Sequence, residues 1–299
     1  MLTIASLWIP FTITAALAQV ARNAMQQQLT GPLGAWGATN IRFLFGFPFS
    51  VLFFAILLTA TGDRLPWPTP AFWPWLLLGA LCQIVATALM LLAMKERSFV
   101  VTMAYLKTEA LQTAVFGFVF LGDHLTVLKV IAILIATAGV VITALRPGGA
   151  KGFADLRPTL LGLLSAAVFA LSAIGFRGAI ITIEGVSFVT AATYTLVFGL
   201  LVQTLVLTVY LVARAPGVFK AIVGMWKPSL LAGFMGAFAS QFWFLALALM
   251  AAANVRTLAL VEVLFAQGVA HYSLKQPLSA RELLGIVLIV IGVALLIAI

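Results

Sequence analysis

The chain has 299 residues, of which 64% are hydrophobic and only 8% are charged, and its mean hydropathy is +1.18. A soluble domain carries about 25% charged residues, so this composition excludes a soluble protein and predicts one that is solvated mainly by lipid. The net charge of +9 is spread thinly over the polar breaks, which is typical of cytoplasmic anchoring of loops and argues against nucleic-acid binding.

Nine short polar or Pro/Gly-containing breaks divide the apolar sequence into ten segments. A transmembrane helix needs about 20 apolar residues, so we expect an all-α membrane protein with ten transmembrane helices. Strands of a membrane barrel would alternate polar and apolar residues, whereas both faces are apolar here. The breaks lie near residues 22–32, 62–70, 95–98, 122–126, 146–158, 184, 214–228, 251–256 and 275–281.

The distribution of basic residues predicts the orientation. Eleven basic residues lie on the side of the membrane that holds the loops after predicted helices 1, 3, 5, 7 and 9. Four lie on the opposite side. Because loops rich in Lys and Arg remain in the cytoplasm, both termini are expected to face outward. The expected location is a bacterial inner membrane, which the chain crosses many times.

The second half of the chain repeats the first at an offset of 153 to 155 residues. Five helices per copy is an odd number, so the second copy enters the membrane from the opposite side. The sequence therefore predicts two inverted five-helix repeats, residues 1–148 and 156–299, which open alternately to either side of a shared central site. The matching positions are Arg22 with Arg177, Ala38-Thr39 with Ala192-Thr193, Glu109 with Glu262, and Gly139 with Gly292.

Each half closes with one pattern: a glutamate, an apolar stretch, a Leu-Thr or Leu-Ser step, and an apolar helix containing a glycine. It runs from Glu109 through Thr126 to Gly139, and again from Glu262 through Ser279 to Gly292. With ten predicted helices, the chain resembles the EamA-type branch of the drug/metabolite transporter superfamily. The resemblance implies transport of small metabolites, amino acids among them. It also implies cytoplasmic termini, against the charge count, and a mid-helix proline in helices 4 and 9 that this chain lacks.

Glu109 and Glu262 are the first candidates for substrate binding and for proton coupling. An ionisable side chain at bilayer depth is costly and marks a functional site by default. The alternative is that each pairs with a Lys or Arg that only locks helices together. Lys107 is a candidate for binding a substrate carboxylate. Two residues before Glu109, it is expected roughly 200° away around a regular helix, and so on a different face.

Further candidates are polar or aromatic residues on helices that the resemblance places around the cavity. Gln19 and Asn23 are four residues apart and share a helix face, as do Gln83 and Thr87. Hydrogen bonding between helices alone would also explain each of them. The other candidates are Tyr105, Gln241, Trp243 and Gln267 for the cavity wall, and His271 for proton coupling or simple packing.

Three arginines are expected to have structural roles. Arg22 and Arg177 lie near predicted helix ends, where snorkelling to the interface is a simpler interpretation than gating or substrate binding. Arg42 lies inside helix 2, which is outside the central bundle in the resembled family. It is therefore expected to pair with an acid or a lipid phosphate.

The sequence holds no HExxH, GxSxG or P-loop motif, and its single cysteine, Cys82, excludes a disulfide. We therefore predict no enzyme, no metal and no cofactor, and transport driven by a gradient or by exchange. A cavity with both a carboxylate and a cation complements a zwitterion, which favours amino-acid export. The alternatives are an exporter of hydrophobic cations or drugs and a lipid-handling protein without solute turnover. The expected partners are a small-molecule substrate and membrane lipid. The oligomeric state stays open, since ten helices can enclose a cavity in a monomer.

Overall fold

The computed structural model describes residues 4–96, 99–144, 156–265 and 280–298. Helices account for 89% of the structure and no strand occurs in these ranges, so the predicted all-α class is confirmed. In chain order the helices are α1 (Trp8–Leu44), α2 (Gly46–Thr61), α3 (Phe72–Glu96), α4 (Phe99–Leu106), α5 (Glu109–Leu121), α6 (Val127–Ala144), α7 (Leu156–Ile181), α8 (Phe188–Arg214), α9 (Gly217–Gly224), α10 (Trp226–Leu249), α11 (Ala252–Leu258) and α12 (Ala280–Ala298).

Within the described residues, six helical stretches are long and apolar enough to cross a membrane, and α5 and α6 are shorter apolar helices. Large apolar side chains such as Leu52, Phe118 and Ile291 are exposed on the outside of the bundle, where a membrane protein contacts lipid. The chain is thus a multi-pass membrane protein, and the count of ten spans stays a prediction. The six stretches are Trp8–Thr61, Phe72–Glu96, Arg157–Ile181, Phe188–Arg214, Trp226–Leu249 and Ala280–Ala298.

Helix α1 folds back on itself at Gly34. This residue has φ 68° and ψ 172°, a conformation that essentially only glycine adopts. Gln26 Nε2 donates to the carbonyl of Ala38 at 3.1 Å, whereas twelve residues of straight helix would separate them by about 18 Å. The first span therefore continues to residue 33. The prediction that helix 1 ends near Arg22 is wrong, and Arg22 lies in the interior of the span.

The two halves of the chain interleave. Helix α3 packs along α7, where Ser172 Oγ donates to the carbonyl of Gly79 and Ser165 Oγ to that of Ala86, both at 2.8 Å. Their repeat counterparts, α10 and α1, also pack along each other. Small residues at such crossings let the helix backbones approach closely. Each of these two helix pairs therefore contains one helix from each half.

The crossing of α6 and α12 shows the relation between the halves directly. A Cβ added to Gly139 would lie 2.6 Å from the carbonyl oxygen of Gly285, and one added to Gly292 would lie 2.7 Å from that of Ala132. Residues 139 and 292 are 153 apart, as are residues 132 and 285. Each contact is therefore the other with the halves exchanged, which is what a two-fold relation between them requires.

Candidate substrate-binding site

The two helices that carry the glutamates are interrupted just before them. Helices α4 and α5 are separated by a turn at residues 107–108, in which Thr108 N donates to the carbonyl of Tyr105 at 3.1 Å. In the second half, α11 gives way to the 3₁₀ segment Ala259–Val261, directly before Glu262. The two interruptions are equivalent by the repeat. Tightened turns inside a helix often mark functional hinges, and interrupted helices form the binding sites of many transporters.

These interruptions lack the proline that the resembled family usually has. In the first half, Thr108 Oγ1 donates to the carbonyl of Tyr105 at 2.7 Å. Such a bond from a side chain to the backbone competes with regular helix and bends it. A threonine thus contributes to the distortion at this position.

Two ion pairs cross between the interrupted helices. Lys107 Nζ contacts the carboxylate of Glu262, and Arg256 Nε lies 2.9 Å from Glu109 Oε1. Each carboxylate therefore meets a cation from the other half of the chain. The four side chains are at most 13% exposed, and carboxylates buried to this degree need such partners. We call these contacts the crossed ion pairs.

A cavity with an empty volume of about 590 Å³, part of it at an open mouth, lies beside the crossed ion pairs. Helices of both halves line it. Among the described residues, no cluster of three or more His, Cys, Asp or Glu side chains could hold a metal ion. The polar and aromatic-polar lining consists of Gln19, Arg22, Asn23, Arg42, Gln83, Lys107, Glu109, Ser240, Trp243 and Arg256.

A second, smaller cavity of about 240 Å³ shares part of this lining. The shared polar residues are Gln19, Lys107, Glu109, Trp243 and Arg256, and we call them the shared wall. These residues border both spaces. Three of the four members of the crossed ion pairs belong to this wall.

Trp243 holds the shared wall together. Its indole Nε1 donates to Gln19 Oε1 at 2.9 Å, and the guanidinium of Arg256 stacks over its ring at 4.3 Å. A cation over a tryptophan face is stabilised by the ring quadrupole. Helices α1, α10 and α11 are therefore tied to the Glu109 carboxylate through one continuous chain of contacts.

Arg22 and Arg42 both lie in the wall of the larger cavity and are 2% exposed. Arg22 donates to Asn23 Oδ1 from Nε at 3.2 Å and from Nη2 at 2.8 Å. Arg42 Nη1 donates to Thr87 Oγ1 at 3.1 Å. Snorkelling of Arg22 is wrong, because its helix continues well beyond it. The acid or lipid phosphate expected for Arg42 is also wrong, because its guanidinium lies inside the bundle beside a neutral hydroxyl.

Lys107 and Glu109 line the same cavity, although the sequence predicted different helix faces for them. That prediction assumed a regular helix from one residue to the other. The turn at residues 107–108 breaks the helical period and brings both side chains to one space.

The other predicted site residues divide into three groups. Gln83 lines the cavity and accepts from Gln203 Nε2 at 2.7 Å. Tyr105 and Gln241 do not line it: the Tyr105 hydroxyl shares a 2.9 Å hydrogen bond with Thr159, and Gln241 Nε2 donates to the Thr193 hydroxyl at 2.8 Å. The last two, Gln267 and His271, fall outside the described residues, and their roles stay predictions.

Arg177 in α7 joins the end of α10 to the loop that follows α5. Its Nη1 donates to the carbonyls of Leu247, at 2.7 Å, and of Met250, both at the end of α10. Its Nη2 lies 3.8 Å from Asp123 Oδ1. Cations stabilise the carbonyl end of a helix. The predicted snorkelling of Arg177 is therefore wrong, since its guanidinium turns inward to these partners.

Interleaved halves related by a two-fold exchange, with interrupted helices around a charged cavity, are features that many membrane transporters share. A model of the EamA-like transporter family matches the chain twice, at residues 6–145 and 156–298. The chain therefore belongs to the EamA-like transporter family, within the drug/metabolite transporter superfamily. Its members are membrane transporters of small solutes and not enzymes.

The fold is also similar to that of a protein of known crystal structure, which matches 98% of this chain and 94% of that one with a TM-score of 0.68. At 16% identity, this likeness shows a common fold and nothing about the substrate. A search of curated proteins found no match to the sequence.

Proposed function

We propose that this protein is a secondary-active transporter that exports or exchanges small metabolites, with amino acids as the first class to test. It would work by alternating access around the central cavity. The observation that carries the proposal is the position of the crossed ion pairs, at repeat-related helix interruptions that face a cavity between the halves.

The shared wall suggests how access would alternate. The residues of this wall border both cavities, so displacement of their side chains would join the two spaces. The crossed ion pairs connect one half to the other, and rocking of the halves would therefore strain or exchange them. Because the sequence contains no P-loop, a gradient or an exchanged solute would supply the driving force.

The cavity offers partners for both ends of an amino acid. Arg22 presents donors for a carboxylate, while Glu109 presents an acceptor for an ammonium group. A substrate amine bound to Glu109 would compete with Arg256 for that carboxylate. Substrate binding would then loosen one contact between the halves, which is a direct way to couple binding to movement.

The two alternatives predicted from the sequence fit less well. A hydrophobic cation would enter a cavity whose described lining has four cationic side chains, Arg22, Arg42, Lys107 and Arg256, and one acidic side chain, Glu109. A lipid-handling protein without solute turnover does not need charged side chains around a cavity in its centre.

Counterflow in proteoliposomes tests the proposal. Vesicles preloaded with a mixed amino-acid pool should take up trace labelled amino acids rapidly, and Glu109→Gln should abolish this uptake. The matched control is Glu184→Gln, which removes an exposed loop carboxylate and should leave uptake unchanged.

Two results would contradict the proposal. If correctly folded protein shows no counterflow with amino acids, other metabolites or cationic drugs, it is not a transporter of small solutes. If the glutamine variant loses thermal stability while the flux stays unchanged, the carboxylate only locks helices together.

A further inference from the structure

Arg22 and Arg42 are buried charges without an acidic partner. Both are 2% exposed, and no ion pair formed by the described acidic residues includes either of them. Arg22 lies within the electrostatic reach of Glu109 and Glu262, but Arg256 and Lys107 already neutralise these two carboxylates. Burying a charge without a counter-ion is costly, so a cation kept in this position needs an explanation.

The two guanidinium groups are held in place by neutral partners. Asn23 accepts two hydrogen bonds from Arg22, and Thr87 accepts one from Arg42. The Arg42 guanidinium also lies 5.2 Å from the centroid of the Phe43 ring. These contacts fix the orientation of the side chains without removing their charge. In addition, Arg22 Nη1 and Arg42 Nε are buried and have no hydrogen-bond acceptor.

The arginines lie side by side against one glycine of α10. A Cβ added to Gly236 would be 3.1 Å from Arg42 Cγ and 3.7 Å from Arg22 Cδ. Two like charges at close range repel each other, which makes an anion between or beside them more favourable. Because the crossed ion pairs are neutral overall, the excess of positive charge in the cavity comes from these two side chains.

We propose that Arg22 and Arg42 form an anion subsite, and that the substrate is a small organic anion with at least two negative charges. Dicarboxylates, acidic amino acids and phosphate monoesters share this chemistry. Guanidinium groups bind carboxylate and phosphate through paired hydrogen bonds, and a dianion would balance the two unpaired charges. This inference rests on the proposed transport function and narrows its substrate class.

Ligand-induced thermal stabilisation of the purified protein in detergent tests the subsite without any need for transport. The ligands are succinate, glutamate and glycerol 3-phosphate, all measured at the same ionic strength. Succinamate, which replaces one carboxylate of succinate by a neutral amide, and leucine serve as ligands of lower charge. We expect the dianionic and acidic ligands to raise the unfolding midpoint and succinamate to have a much smaller effect. Which of the three ligands acts most strongly distinguishes carboxylate from phosphate.

The variants Arg22→Gln and Arg42→Gln should each weaken dianion binding by about ten- to a hundredfold, as expected for loss of hydrogen bonds to a charged group. Without ligand, their unfolding midpoints should not fall, because an unpaired buried charge has been removed. The control is Arg214→Gln, at an exposed arginine, which should bind dianions as the wild type does.

Several results would overturn the inference. One is stabilisation of the wild type by leucine, succinamate or a lipophilic cation but not by dianions; this result leaves the transport function standing. Equal stabilisation by chloride alone would reduce the subsite to an inorganic-anion site. Unchanged dianion binding in both glutamine variants would remove the arginines from the site. The succinate and succinamate comparison uses only wild-type protein, so it decides the question even if a variant fails to fold. Loss of all counterflow together with intact dianion binding would instead count against transport.

Discussion

Lys107 and Glu262 belong to different halves of the chain, yet they form the most buried ion pair of the described residues, with side chains 9% and 4% exposed. A contact of this kind links the halves only while both charges are present. Removing one partner leaves an uncompensated charge in a region shielded from water, while removing both leaves none.

The first prediction is therefore that Lys107→Met and Glu262→Met each lower the free energy of unfolding by about 3–5 kcal/mol, whereas the double variant loses much less. The measurement is a double-mutant cycle from reversible unfolding in detergent. Additive losses in the double variant would show that the two side chains do not depend on each other.

The second prediction concerns the crossing of α6 and α12. Gly139→Ala and Gly292→Ala should destabilise the protein by similar amounts, about 1–3 kcal/mol, because each new methyl group would meet a backbone carbonyl that cannot move aside. Gly224→Ala is the control, since a Cβ there meets nothing within 4 Å. Thermal unfolding midpoints in detergent provide the comparison. A large loss at only one of the two positions would contradict the two-fold relation.

The third prediction is a dependence of stability on acid pH. The Ser187 hydroxyl, the Thr190 hydroxyl and the Ser187 backbone N–H donate to Asp63 Oδ2 at 2.5, 2.6 and 3.0 Å. These hydrogen bonds, led by that of the Ser187 hydroxyl, lower the pKa of the Asp63 carboxyl from its usual value of 3.8. The folded protein thus binds this proton less readily than the unfolded chain does. The stabilising contribution is complete above the unfolded pKa and is lost as the pH falls through the lower folded pKa.

Comparing Asp63→Asn with the wild type over this acid range isolates the effect. The unfolding midpoint of the variant should change less with pH than that of the wild type, and Glu184→Gln should follow the wild type. Identical pH profiles for Asp63→Asn and the wild type would show that these hydrogen bonds do not stabilise the fold.

The fourth prediction concerns orientation. The distribution of basic residues places both termini outside, whereas the resembled family usually has them in the cytoplasm. A C-terminal fusion to alkaline phosphatase, which folds only outside the cytoplasm, should be active, and a fusion to green fluorescent protein should be dark. The opposite pattern would show that the family orientation holds and that the charge count misleads.

The glutamates and the repeat could be predicted from the sequence because they depend on spacing alone. An acid inside an apolar run stands out, and a nearly constant offset between matching residues identifies a repeat. The sequence therefore predicts that Glu109 matches Glu262 and that Gly139 matches Gly292. All of them occupy equivalent places in the two halves.

The arginines of the cavity could not be placed in this way. A polar residue in an apolar sequence marks either a helix end in water or a position that faces a polar interior, and both give the same pattern. The sequence pattern predicts a helix end at Arg22, although its helix continues to residue 33 inside the bundle. The match between Arg22 and Arg177 in the repeat is the one sequence feature that indicates a specific structural position for Arg22. The prediction that Lys107 and Glu109 lie on different helix faces is wrong for another reason. The helical period does not extend across the interruption at residues 107–108.

The glycine contacts between α6 and α12 have a mechanical consequence. When two halves related by a two-fold axis exchange their conformations, the Gly139 contact with Gly285 becomes the Gly292 contact with Ala132, so the crossing ends in the arrangement in which it began. Contacts away from the axis must change in the same exchange. In the proposed alternating access, helices α6 and α12 would act as a fulcrum, a tightly packed joint about which the rest of the bundle turns without being disassembled.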